Sequence, residues 1–147
     1  MNRYPKSRKA GFTLIELLVV VAIIGILSAV VLASLGTARS RANDSKVQSQ
    51  LSQIRASAEI YALNNNNYGP VANSCTASGS MFVDTSSGMS RLTTVGNYPT
   101  GTTLVCNSST SSYAVQATLS TGSAWCVDSL GVSKPISAIS NNATVCP

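Results

Sequence analysis

The sequence predicts an α+β protein: one long N-terminal helix with a small antiparallel sheet packed on its second half. Three observations predict it. Residues 12–36 are apolar apart from Glu16, and the residues that follow keep a helical apolar period, with no proline between Pro5 and Pro70. The C-terminal region instead alternates apolar and polar residues between turns rich in Gly, Ser, Thr and Asn, which is the period of strands. At 147 residues the chain holds no more than one ordinary domain plus an appendage.

Residues 1–11 form a basic leader, with Arg3, Lys6, Arg8 and Lys9 and no acid. The whole chain has ten Lys+Arg against five Asp+Glu, so removing those four leaves six bases and five acids, a net of +1. The sequence pI near 9.3 therefore describes the leader. The remaining charge gives no support for strong phosphate binding, and nucleic acid stays an open partner. The chain has no histidine, which excludes histidine-based catalysis and any His-containing zinc site.

Residues 12–36 include twenty consecutive uncharged residues, Leu17 to Gly36. About 20 helical residues span roughly 30 Å of hydrocarbon, so this segment can cross a bilayer. The basic leader should remain cytoplasmic, giving a single pass with the N-terminus inside. Arg39, Arg41 and Lys46 follow the segment, against Asp44, so the charge asymmetry is modest.

Residues 37–63 continue the helix. Val47, Leu51, Ile54, Ala58 and Tyr61 recur at spacings of four and three, which puts them on one face. Asn64 to Asn67 followed by Tyr68-Gly69-Pro70 is a stop signal. A helix from Phe12 to Leu63 would be roughly 78 Å long at 1.5 Å per residue. A small domain covers only part of that, and the rest needs other partners.

Residues 64–147 read as a β-rich head. Tyr113, Val115, Ala117 and Leu119 alternate with Ala114, Gln116 and Thr118, the pattern of a half-buried strand. Ser120–Ser123 is a turn, Ala124–Val127 the returning strand, and Ser129-Leu130-Gly131 turns again toward Val132. Thr102–Val105 is a weaker strand, and residues 71–100 read as a loop with short elements. Tyr61, Tyr113 and Trp125 fall on periodic positions and are expected in the core.

The junction Lys9-Ala10-Gly11-Phe12-Thr13-Leu14-Ile15-Glu16 carries the most information. A secretory signal peptide also has a basic start and an apolar core, but it places a small-residue cleavage site after that core. The length of the apolar run and the charge of Glu16 argue against that reading. Gly11, before the run, is the better processing candidate.

Gly11 to Leu27, GFTLIELLVVVAIIGIL, resembles the prepilin N-terminus of type IV pilins and type II secretion pseudopilins, with a close match over residues 8–38. The resemblance implies cleavage between Gly11 and Phe12 by a prepilin peptidase and methylation of the new amino terminus at Phe12. It further implies that copies of the chain assemble into a helical filament, with Glu16 meeting a freed amino group at Phe12. The assembly machinery would be that of a pilus or secretion system in the inner membrane, and the product a cell-surface filament. The implied function is a structural subunit of a type IV pilus. The alternatives are the major pseudopilin of a type II secretion system, and a minor pilin binding DNA or a surface. Related pilins can lose helical order after the glycine corresponding to Gly25, often before a proline; here Ala33 holds that place.

Cys75, Cys106, Cys126 and Cys146 lack CxxC spacing, which disfavours zinc and redox motifs. An even count in an exported domain favours disulfides. Of three possible pairings, Cys75–Cys106 and Cys126–Cys146 are preferred because sequential loops are the easiest to close. The second would staple the chain end to the sheet, similar to the disulfide-bounded C-terminal loop of many pilins. Asp84 and Asp128 do not sit in an EF-hand spacing of oxygen ligands, so no metal is expected. No cofactor is implied. No phosphate loop, nucleophile elbow or carboxylate pair occurs, so the chain is not read as an enzyme.

Overall fold

A computed structural model describes residues 11–147; the basic residues of the leader lie outside the described residues. Helix α1 spans Leu14–Asn65 and stays helical through residues 25–33. Its C-terminal stop is built from the asparagine run. Asn66 adopts a left-handed conformation with φ 58°, and the Asn65 side-chain amide donates to the Tyr61 carbonyl at 3.0 Å. The chain divides into two units between Ala38 and Arg39.

In the first unit every described residue is exposed, Leu18, Ile24, Leu27 and Leu32 among them. By length and composition this part of α1 can cross a membrane.

The second unit contains the rest of α1, a short helix α2 at Met89–Leu92 flanked by two single 3-10 turns, and four strands. Strands β1 (Leu104–Ser108), β2 (Tyr113–Thr118), β3 (Ala124–Asp128) and β4 (Ser133–Ile136) form an antiparallel meander in sequence order. Val47, Leu51, Ile54 and Ala58 of α1 are buried against Cys106, Tyr113, Val115, Ala117 and Val127 of the sheet. Tyr61 is half-buried beside this core, as is Trp125, whose indole N–H donates to Ser133 Oγ at 3.0 Å. Gly69, at φ 91°, passes so close to Tyr61 and the Met81 amide that a Cβ would meet them at 3.3 and 3.2 Å. That contact and its φ both require glycine there.

Two expectations need correction. Strand β2 is not half-buried: Ala114 and Gln116 are covered as fully as Tyr113 and Val115. Their face lies beneath the C-terminal segment, where Ile139 and Cys146 pack on Ala114 and Cys126. The weak strand at 102–105 is displaced, running from Leu104 to Ser108. Its polar end is hidden from a hydrophobic pattern because Asn107 and Ser108 are buried and direct their side-chain donors to backbone carbonyls. Asn107 Nδ2 donates to the Ser140 and Ala143 carbonyls at 3.1 and 2.9 Å, and Ser108 Oγ to Pro70 O at 3.0 Å.

Candidate functional site

Two features outside the hydrophobic core bear on function: the start of α1 and the anchoring of the C-terminal segment.

Gly11 and Phe12 precede the helix, with Phe12 84% exposed, and Glu16 lies in its first turn. Thr13 closes the helix end. Its hydroxyl accepts from the Glu16 amide at 3.2 Å, while Glu16 Oε2 accepts from the Thr13 amide at 2.8 Å and the Thr13 hydroxyl at 2.7 Å. This reciprocal pair is a capping box, in which residues three apart satisfy two of the amide donors a helix start leaves open. An acid in the first turn also suits the positive end of the helix dipole. The sequence-based expectation gives Thr13 no role, although the T-x-x-E spacing that signals such a box is present at Thr13 to Glu16. In the single chain, then, the carboxylate of Glu16 is bonded to its own helix start.

The cysteines are joined as Cys75–Cys106, with Cα atoms 4.9 Å apart, and Cys126–Cys146, at 5.9 Å. The second bond is one of several anchors for residues 137–147. Gln116 Oε1 accepts from the Ile139 amide at 2.7 Å, and Asp128 Oδ2 from the Cys146 amide at 2.9 Å. The other Asp128 oxygen accepts from the Leu130 and Val132 amides, both at 3.0 Å, and so fixes the turn between β3 and β4. Asp128, fully buried, thus serves structure through backbone donors. Asp84 similarly spends its carboxylate on Ser86 and Ser87. The Ser87 hydroxyl, then its amide, hold the Asp84 carboxyl below its ordinary pKa. Among the described residues no group of three His, Cys, Asp or Glu side chains is placed to hold a metal ion.

Comparison with known proteins matches residues 6–32 to the family described as the prokaryotic N-terminal methylation motif. The chain is 52% identical over 58 residues to the type IV wide pilus major component of Thermus thermophilus, covering 40% of this chain and 44% of that one. It is 36% identical over 63 residues to the type II secretion system core protein G of Aeromonas hydrophila, covering 43% and 44%. It is 42% identical over 64 residues to the type IV major fimbrial protein of Dichelobacter nodosus, covering 44% and 41%. The chain thus spans less than half the length of the curated relatives it matches. No solved structure matches it.

Proposed function

We propose that this chain, whose N-terminal segment is that of the type IV pilin and pseudopilin family, is the structural subunit of a type IV pilus. The observation that carries this reading is the first half of α1, an apolar helix exposed along its whole described length. Such a surface needs lipid before assembly and other copies of itself afterwards.

In this reading a prepilin peptidase cuts between Gly11 and Phe12 on the cytoplasmic side, and the new amino group at Phe12 is methylated. The helix waits in the inner membrane as a single pass with its N-terminus inside. Glu16 is tolerable there because Thr13 satisfies part of its hydrogen-bonding need. A carboxylate at the bilayer centre costs roughly 2.5–3.5 kcal/mol on insertion scales, and Glu16 lies off centre. A neighbour's Phe12 ammonium offers it a charged donor in place of a neutral one. Charge-assisted hydrogen bonds are roughly twice as strong as neutral ones, and a low dielectric strengthens the attraction further. The exchange of Thr13 for a neighbour's amino terminus would favour assembly and set the axial register.

A second reading, the major pseudopilin of a type II secretion system, is favoured by the similarity to core protein G. The higher identity to the wide pilus component supports the pilus. The relatives named above are major subunits or core secretion proteins and lend nothing to a minor pilin.

The test compares Glu16→Leu with the parent. Membrane levels should be equal or higher, cleavage after Gly11 should persist with an intact mass starting at methylated Phe12, and the yield of sheared filaments should collapse. Equal filament yield would sink the assembly role of Glu16. Electron microscopy of the parent's sheared fraction separates the two readings: long filaments fit a pilus, their absence a pseudopilus.

A further inference from the structure

The apolar run ends at Gly36, and Arg39 and Arg41 follow it on the same helix, both exposed. At 1.5 Å per residue they stand about 4.5 and 7.5 Å beyond Gly36. The polar layer outside the hydrocarbon is about 5–7.5 Å thick on each side of a bilayer. Two residues apart means about 200° around the helix axis, so the two guanidinium groups leave opposite sides of α1. A flat protein surface would meet one of them and miss the other. A layer of lipid headgroups surrounds the helix and meets both.

The nearest acid in the chain has its hydrogen bonds elsewhere. Asp44 accepts from the Ser120 amide through one oxygen and from the Ser120 hydroxyl through the other, both at 2.8 Å, and is thereby committed to the sheet. The arginines are left to an external anion. A guanidinium presents paired N–H donors that match a phosphate.

We propose that Arg39 and Arg41 bind the phosphates of anionic lipids in the leaflet where α1 leaves the membrane, fixing the depth of the helix before assembly. This rests on the reading of residues 12–36 as a membrane span. Lys46 has the same charge but stands about 15 Å beyond Gly36, above the headgroup layer. It is a built-in control for height.

The experiment reconstitutes the full chain into phosphatidylcholine vesicles containing a minority of phosphatidylglycerol. An alkaline wash checks insertion, a styrene–maleic acid polymer then excises discs, and mass spectrometry reads their lipid ratio. The parent should retain phosphatidylglycerol above its bulk share, since a basic residue at the surface favours an anionic headgroup about fivefold. Arg39→Gln/Arg41→Gln should lose most of the enrichment not due to the leader, while Lys46→Gln should match the parent. Equal ratios for the parent and the double variant, with the chain retained in the vesicles, would overturn the proposal alone. An equal loss in Lys46→Gln would also overturn it, by showing that height is irrelevant. Release of the parent by the alkaline wash would defeat the membrane span itself, and the proposal with it.

Discussion

Replacing Asp128 with Ala should be among the most damaging single changes in the β-rich head. The carboxylate is fully buried and binds three backbone amides from two separate stretches of chain. Its removal leaves the amide of Cys146, a buried residue, without an acceptor, at about 1–3 kcal/mol. Leu130 is exposed and Val132 half-buried, so water can replace part of what their amides lose. The expected total is about 3–4 kcal/mol, a large share of a domain stability of about 5–15 kcal/mol. With a urea slope of about 2 kcal/mol per molar, the midpoint should fall by about 1.5–2 M. Urea unfolding of the full chain in non-ionic detergent, followed by Trp125 fluorescence, reads this directly. Asp128→Asn should fall between the two, because one carboxamide oxygen can serve the turn or Cys146 but not both. A midpoint shift below about 0.5 M for Asp128→Ala, at unchanged slope, would refute the anchoring role.

Alkaline pH should destabilise the head through two tyrosines. Burial pushes Tyr98 up to about 12, and burial, then the charge of Glu59, raise Tyr113 as well. A raised folded pKa gives stability that is complete below the unfolded value near 10. It is lost at about 1.4 kcal/mol per pH unit for each group as pH climbs toward the folded value. Tyr98→Phe should flatten the decline above pH 10 while costing about 1 kcal/mol at neutral pH, from the lost 2.7 Å bond to the Leu92 carbonyl. An unchanged alkaline profile would show that Tyr98 is not responsible. Replacing Cys126 and Cys146 together with Ala should cost about 3 kcal/mol in the chain-entropy view of a loop of this size. Ile139 should nevertheless stay protected from hydrogen exchange through Gln116; loss of that protection would mean the disulfide alone holds the segment.

The hydrophobic code predicted the helix and the order of its buried face well, since Val47, Leu51, Ile54 and Ala58 report burial through their period. It predicted the strands less well wherever burial is polar. Asn107, Gln116 and Asp128 are all buried, yet each bonds a backbone partner 18 to 36 residues away in sequence. A pattern of apolar and polar letters marks such residues as outward-facing, and only the tertiary partner reveals otherwise. The covered second face of β2 was hidden for the same reason. The C-terminal segment that covers it has no periodicity and is held largely by its backbone.

At the start of α1 the difficulty is of another kind. Glu16 is conspicuous as a lone charge in an apolar run, which draws attention to distant partners and away from the nearest one. Thr13 lies one turn away and gives the carboxylate two donors. The cap and the proposed assembly contact compete for the same oxygens. A strong cap lowers the cost of holding Glu16 in lipid but also reduces the gain when a neighbour's amino group arrives. A neutral hydroxyl and amide suit that balance: they stabilise the waiting subunit by about 1 kcal/mol, the usual worth of a helix cap, and leave an ion pair as the better alternative. Under the proposed assembly contact, Thr13 would set a threshold on assembly as well as start the helix.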